Sequence, residues 1–476
     1  MIKFLVIALI AVSAQAFCGP NQTDELSVIQ PPNTLPFRIN IVKADFQLPS
    51  DNLESFGLQA FLYAVHKGKA LLLAGRTNGL HGFGPTDDTF TVRGQNTVVY
   101  VIDPDNKKVA FKSLHDPSSH LTQAQIDTLS VTAGQSHQVN NTMYMVGGYG
   151  VDTATGQFST KSTLTAIDVP GLMHWVEKAS PGETAAQYIR ETSHPLLQVT
   201  GGFLSQANPH EPFLLFFGQN FTGFYSTSSN GAYTKQVRPF RIIDNGKALY
   251  VQPEKQFAPN PNYRRRDLVV TPIIQKTATS YAQAFVALSG VFTEESGIWT
   301  VPILINAKGG SFMPDPLNPN TFKQGMNSYD AARAGLFSKK TNEMFVLVFG
   351  GISYLSFVDG SFVPDPEIPF INSVTTIKID GQGNFTQYLM ENEFPVIPAD
   401  FANFGNPLLF GAEARFIPAK NLPAFSNNVF SLDELGSSPI LLGYIVGGIQ
   451  STVPNTSSNA DSAASPYIFN VMLEKR

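Results

Sequence analysis

The chain has 476 residues, with 37 acidic against 32 basic side chains and a formal net charge of −5; 43% of it is hydrophobic and only 14% charged. That mixture supplies a large core and excludes a disordered chain, and the missing basic surplus excludes the electrostatic footprint of a nucleic-acid binder. The 38 Gly, 33 Pro and 37 Phe favour strands joined by turns, and the single cysteine, Cys18, excludes an intrachain disulfide or a cysteine-built zinc site.

The chain opens on "MIKFLVIALIAVSAQAFCGP". One early lysine, an apolar stretch from Phe4 to Val12 and the small-residue pattern Ala14-Gln15-Ala16 read as a secretory signal peptide over residues 1–16. The stretch is too short for a membrane span, and no later run of 18 apolar residues follows, so no transmembrane segment is expected. The mature protein is expected to be secreted, extracellular or, in a bacterial host, periplasmic. Residues 17–35 read as an N-terminal extension and 36–475 as a single domain. N-x-S/T sequons at Asn21, Asn140, Asn220, Asn384 and Asn455 are glycan acceptors only where the host glycosylates.

A strand, "FRINIVKADF" (37–46), comes next, and then a repeat begins. "LLLAGRTN", "MYMVGGYG", "FLLFFGQN", "FVALSGVF", "FVLVFGGI" and "GYIVGGIQ" are apolar runs that end at Gly75, Gly148, Gly218, Gly290, Gly351 and Gly448. These glycines are spaced by 73, 70, 72, 61 and 97 residues, a period that marks repeated supersecondary units. Each unit has an alternating strand before its apolar run, for example "QAFLYAV" or "DLVVTPII". A third strand follows, such as "VVYVID" (98–103), "LTAID" (164–168), "FRIID" (240–244), "VTTIKID" (374–380) or "YIFNVML" (467–473), and in several units a fourth, such as "KVAFKSL" (108–114).

Four strands repeated six times predict an all-β, six-bladed β-propeller. The solid apolar runs are second strands buried on both faces. The last unit supplies strands at about 409–416, 440–447 and 467–473, so the spare strand at 37–46 is expected to complete it and close the ring. The 97-residue spacing is then insertion, carried by "MENEFPVIPADFANFGNP" and "AFSNNVFSLDELGSSP".

Gly-Gly after an apolar strand, then "AID" and Trp175, resembles a kelch repeat. The match is degenerate: full pairs stand at Gly147-Gly148, Gly350-Gly351 and Gly447-Gly448, while Ala74, Phe217 and Ser289 replace the first glycine elsewhere. Trp299 falls on a third strand in this scheme. The resemblance implies a kelch-like fold and says little about activity. A copper-radical oxidase of the galactose-oxidase type requires a cysteine crosslinked to a ligand tyrosine, and Cys18 lies outside every blade, which excludes that activity.

In propellers of this kind the loops between second and third strands and between blades gather on one face. The segments leading into first strands carry Gln135 and His137, His194, Arg265, Arg266 and Asp267, Asp330 and Arg333, and Glu413. The second-to-third loops add Arg76, Asn78 and His81, with Tyr149, Gln219, Glu294, Tyr354 and Gln450. The ligand-binding set is therefore Arg76, Asn78, His81, Gln135, His194, Arg266, Arg333 and Glu413. Arg offers a planar fork to an acid or polyol, and His titrates near neutral pH. The competing reading is structural, since Arg and Asp at such positions also pair across blades and satisfy buried backbone.

"HDPSSH" brings His115, Asp116 and His120 together in a loop, but its spacing requires the loop to fold back on itself, and no metal or other cofactor is expected. "RTNGLHG" lacks the Lys-Ser/Thr and helix of a phosphate loop, and no G-x-S-x-G elbow occurs. The expected function is binding, by a monomer, of a carbohydrate or an extracellular protein on the loop-rich face. The rival reading is a sugar-modifying enzyme: six-bladed kelch proteins include sialic-acid mutarotases, which need only Arg, Glu and His in the channel. A third is a structural extracellular component.

Overall fold

A computed structural model describes residues 26–31, 34–46, 56–82, 87–225, 231–294, 297–399, 407–437, 439–456 and 460–476. The expected signal peptide and residues 17–25 of the extension lie outside them. Among the described residues no helix is long and apolar enough to cross a membrane.

The strands form six antiparallel blades, and they begin with β1 (Phe37–Lys43), which belongs to the last of them. Blade one contains β2 (Leu62–His66), β3 (Lys69–Leu73), β4 (Val98–Asp103) and β5 (Lys108–Ser113). Blade two contains β6 (Gln135–Val139), β7 (Thr142–Val146), β8 (Thr163–Asp168) and β9 (Ile189–Ser193). Blade three contains β10 (Phe203–Gln206), β11 (Phe213–Phe216), β12 (Val237–Asp244) and β13 (Leu249–Pro253). Blade four contains β14 (Val269–Lys276), β15 (Tyr281–Leu288), β16 (Ile303–Asn306) and β17 (Ser311–Phe312). Blade five contains β18 (Ala332–Ser338), β19 (Glu343–Ile352), β20 (Phe370–Ile379) and β21 (Phe385–Leu389). Blade six contains β22 (Arg415–Pro418), β23 (Ile440–Val446), β24 (Ile468–Lys475) and the early strand β1.

The fold is thus a six-bladed β-propeller, and its ring closes as the spare strand predicts. β1 pairs antiparallel with β24 from Phe37↔Lys475 to Lys43↔Phe469. Phe37 is fully buried and meets Phe345 of the neighbouring blade edge to face at 5.3 Å. The second strands are solid apolar runs because blades cover them on both sides: all of β11 and all but the first residue of β3 and β7 are buried.

Each second strand ends in two residues with positive φ: Ala74-Gly75, Gly147-Gly148, Phe217-Gly218, Ser289-Gly290, Gly350-Gly351 and Gly447-Gly448. This turn aims the glycine N–H at the next blade. The acceptors are the carbonyls of Val131, Val199, Arg265, Ser328, Phe410 and Leu58, at 2.8 to 3.2 Å. Five of these stand four residues before the next first strand, and Phe410 stands five before. The last link, Gly448 to Leu58, joins blade six to blade one.

Three sequence expectations need correction. The first strand of blade six was expected at 409–416, but it is Arg415–Pro418, because positive φ at Gly411 and Glu413 breaks the extended run before it. Trp299 precedes β16 instead of lying on it, and its Nε1 donates to the Arg264 carbonyl at 2.6 Å. Trp175 is fully buried in helix α2 (Val169–Lys178), capped by Asp168, and α2 follows the shorter α1 (Gln123–Leu129) with its Thr122/Gln125 capping box. The Pro-and-Asn excursion between β22 and β23 sends a two-residue strand, Phe430–Ser431, to pair in parallel with Leu336 and Phe337 of the inner strand β18.

Gly448→Ala should destabilise the protein by roughly 2 kcal/mol or more, since its φ of +88° is strained for alanine and the new Cβ falls 2.6 Å from the Ala412 carbonyl. Gly156→Ala, also at positive φ but with open space around it, should cost only about 1 kcal/mol. Equal losses in urea unfolding would contradict the interlocking role given to the first glycine.

Candidate functional site

The residue two positions before each first strand occupies one structural position repeated round the ring: Ala60, Ala133, Gly201, Asp267, Asp330 and Glu413. Backbone bonds link neighbours at this level: Ala60 N–H to the Glu413 carbonyl (3.1 Å), Glu413 to Asp330 (2.6 Å), Asp267 to Gly201 (2.8 Å) and Gly201 to Ala133 (3.0 Å). Blades one to three place small side chains here, and blades four to six place carboxylates. The mouth of the channel is therefore acidic on one half only.

The three acids differ in their partners. Asp330 is held between two arginines, Arg415 Nη1 at 2.9 Å and Arg333 Nη1 at 3.3 Å. Those arginines are fixed in turn by backbone: Arg333 Nε donates to the Val270 carbonyl of blade four at 3.1 Å, and Arg415 Nε to the Phe61 carbonyl of blade one at 3.1 Å. Asp267 faces the Arg266 Nε at 3.4 Å, and the Arg266 Nη2 donates to the Tyr225 hydroxyl at 2.9 Å. Among the described residues no arginine stands within ion-pair distance of Glu413; its Oε2 accepts from Gln59 Nε2 at 3.0 Å.

Their acidities follow from this. Burial, reinforced by the charges of Asp267 and Asp330, pushes Glu413 up to about 7. Burial also raises Asp267 to about 6, with Arg266 pulling the other way. Tyr329 shares their field, and burial with the neighbouring carboxylates pushes its hydroxyl well above the ordinary range.

Beside the acids lies an aromatic and cationic wall. His81 packs against Phe90 (4.7 Å) and Tyr225 (5.0 Å), its Nδ1 is 2.8 Å from the Gly82 carbonyl, and burial lowers it to about 4. Arg76 is 2% exposed, lies 5.0 Å from the centre of the Phe90 ring and donates to Asn78 Oδ1 at 3.0 Å and the Thr91 carbonyl at 3.2 Å. Beneath the mouth, a channel cavity of about 600 Å³ is lined by all six first strands, through Tyr63, Gln135, Phe203, Thr271, Arg333 and Phe416. Residues 426–430 of the blade-six excursion form part of its wall.

The structure gathers most of the residues singled out in the sequence. Arg76, His81, Arg266 and Glu413 share the field of the mouth, with Asn78 bound to Arg76. Arg333 and Gln135 line the channel. His194 stands apart: it follows the outermost strand of blade two, where its side chain accepts from Leu196 N–H to cap the turn Pro195–Leu197. Gly201 holds the position that alignment assigned to it. Arg265 is fully buried under Trp299, donating to the Ser289 and Val301 carbonyls, and is structural. In "HDPSSH", Asp116 caps a turn by accepting from Ser118 N–H at 2.8 Å.

Sequence reasoning missed Gln59, Tyr63, Tyr225, Tyr329 and Arg415. Arg415 had a signal, since it stands two residues after Glu413 in "GAEAR". Tyr225 had none.

The fold and this mouth define a propeller with a polar axial cavity. No family model matches the chain, and no curated protein does. Among solved structures it is similar to one described as "Structure of YjhT", at 10% identity and a TM-score of 0.44, over 90% of this chain and 99% of that one.

Raised carboxyl groups stabilise the fold most when protonated, below their ordinary range, and that contribution is lost as pH rises through the folded values. Thermal stability of the wild type should therefore fall between about pH 4.5 and 7, the span set by Glu413. Glu413→Gln should flatten that fall and raise the melting temperature at pH 8. Parallel curves for the two proteins would contradict this assignment. Asp330→Asn should cost on the order of 3 kcal/mol at pH 7, because it leaves two largely buried arginines without their anion.

Proposed function

We propose that the protein is an exported, monomeric propeller of the kelch kind that binds a small carbohydrate at the mouth of its channel. One observation carries this reading: Asp267, Asp330 and Glu413 occupy the same backbone position on three consecutive blades, interleaved with Arg266, Arg333 and Arg415, above a channel of about 600 Å³. Such a volume suits a small molecule, and fixed carboxylate and guanidinium groups match paired hydroxyls. A protein partner is less well suited, because the polar groups are recessed and engaged with one another.

The kelch kinship is supported by the paired positive-φ residues that end every second strand. Trp175 departs from the pattern by lying in a helix. Export is supported by the amino-terminal sequence pattern, and a monomer by a ring closed within one chain.

A second reading, catalysis of sugar-ring opening in the manner of a mutarotase, is favoured by the acidities of Glu413 and Asp267 near 7 and 6. In that reaction one carboxylate takes the proton of the anomeric hydroxyl while a carboxylic acid protonates the ring oxygen. The bond from C1 to the ring oxygen breaks as C1 becomes a carbonyl. Reclosure on the other face returns both protons, with nothing consumed.

The test is a glycan array together with anomer exchange followed by NMR, on wild type, Glu413→Gln and Asp267→Asn. Wild type should bind at least one carbohydrate class, and Glu413→Gln should weaken it more than tenfold. Accelerated anomer exchange that is lost in both variants would establish the catalytic reading. A wild-type protein that neither binds a glycan nor speeds exchange would overturn both.

A further inference from the structure

Two arginines of the channel wall each leave one nitrogen unused. Arg333 donates through Nε to the Val270 carbonyl at 3.1 Å and through Nη1 to Asp330 Oδ1 at 3.3 Å. Arg415 donates through Nε to the Phe61 carbonyl at 3.1 Å, and through Nη1 to Asp330 Oδ2 at 2.9 Å and the Ala414 carbonyl at 3.2 Å. Among the described residues neither Nη2 has a hydrogen-bond partner, and neither is sealed from solvent. Both side chains line the cavity and each is 15% exposed. Their Nη1 atoms hold the two oxygens of one carboxylate, so the guanidinium groups lie side by side.

Arg333 is further steadied by Phe203, whose ring centre lies 4.9 Å from the guanidinium carbon. Tyr63 supplies a third donor. It lines the same cavity, stands in the field of both arginines, and its hydroxyl has no hydrogen-bond partner among the described residues and is not sealed from solvent. Tyr63 and Arg333 each follow a ring position, Ala60 or Asp330, by three residues, and Arg415 follows Glu413 by two. The three side chains therefore stand at one level on the consecutive blades five, six and one.

The charge at this level is unbalanced, since two guanidinium groups face one carboxylate. Burial lowers the Arg333 guanidinium from its ordinary range, with Asp330 opposing and the charge of Arg415 adding to the shift. An anion beside it would relieve both pressures. Unused charged donors in a recessed wall favour a partner that accepts hydrogen bonds and carries negative charge. One negative charge restores the balance, whereas a dianion overshoots it. The planar oxygen pair of a carboxylate matches the donors of adjacent guanidinium groups.

We infer that Arg333, Arg415 and Tyr63 form an anion site inside the channel that holds the carboxylate of a small monocarboxylic acid. The guest need not be a sugar, so the assignment goes beyond the carbohydrate reading of the mouth. The cavity of about 600 Å³ leaves room for the body of such a molecule.

The experiment is isothermal titration of the full chain with acetate, lactate, gluconate and glucuronate, each against its neutral amide, and with inorganic phosphate and sulfate. Ionic strength is held constant at about pH 6, where the four acids are ionised. At least one carboxylate should bind wild type, and its amide should bind roughly fiftyfold more weakly. Tyr63→Phe removes a hydroxyl that no protein group uses; it should weaken that carboxylate about fivefold and leave the melting temperature in place. Arg333→Lys keeps the charge but loses the fork, and should weaken it about tenfold. Should that variant fail to fold, the acid-to-amide comparison on wild type and Tyr63→Phe still decide. The site is overturned if no carboxylate binds, if acid and amide bind alike, if phosphate or sulfate binds more tightly than every carboxylate, or if Tyr63→Phe binds as wild type does. A bound carboxylate beside a blank glycan array would leave the anion site and remove the carbohydrate reading; a bound neutral glycan with no carboxylate binding would do the reverse.

Discussion

The hydrogen bond from the glycine that ends each second strand to the backbone ahead of the next blade is the constraint on which the rest depends. It is a short-range device with a ring-wide effect. A blade cannot slide on its neighbour without leaving a buried N–H unmade, which costs about 1–3 kcal/mol at each seam. The left-handed pair aims the N–H outward from its own blade. Ala74, Phe217 and Ser289 accept a positive φ where Gly147, Gly350 and Gly447 adopt it freely, whereas the second position is glycine in every blade. A Cβ would crowd neighbouring atoms at both positions of the Gly-Gly pairs, as at Gly447 against the Leu58 carbonyl at 2.1 Å and Gly448 against the Ala412 carbonyl at 2.6 Å.

Because that bond fixes the segment before each first strand, six equivalent residues are held at one level of the channel. The chain uses this level asymmetrically. Ala60, Ala133 and Gly201 keep one half small; Asp267, Asp330 and Glu413 concentrate charge on the other. Gathering three acids there is unfavourable, and the structure answers it differently for each. Asp330 receives two arginines, Asp267 one, and Glu413 only an amide, and burial raises both Asp267 and Glu413 above the ordinary carboxyl range. Asp267 and Glu413 also hold a positive φ, a conformation that carries a strain cost for a non-glycine residue. Strain and charge coincide where a rigid scaffold presents its polar groups to the axis.

How far the sequence discloses this depends on whether a feature repeats. The glycines repeat, so blade number, second strands and the closing role of Phe37–Lys43 could be read from spacing and one spare strand. Arg266, Arg333 and Glu413 could be placed because they sit at fixed offsets from those strands. His194 was misplaced because the turn Pro195–Leu197 separates it from the first strand of blade three, as the equivalent turn Pro261–Tyr263 does for Asn260 in blade four. Tyr225 reaches Arg266 from the second-to-third loop of blade three, which has hairpin counterparts in blades two, five and six, but the repeat spacing does not single out this residue. The blade-six excursion could be recognised as an insertion, but its docking against Leu336 and Phe337 depends on tertiary packing that local patterning does not encode.

The same side chains that furnish the site also close the ring. Arg333 belongs to blade five and binds a carbonyl of blade four; Arg415 belongs to blade six and binds a carbonyl of blade one; Asp330 joins the two. A continuous polar chain therefore runs across blades four, five, six and one, spanning the seam where the two ends of the propeller meet. Its arginines hold the wall together.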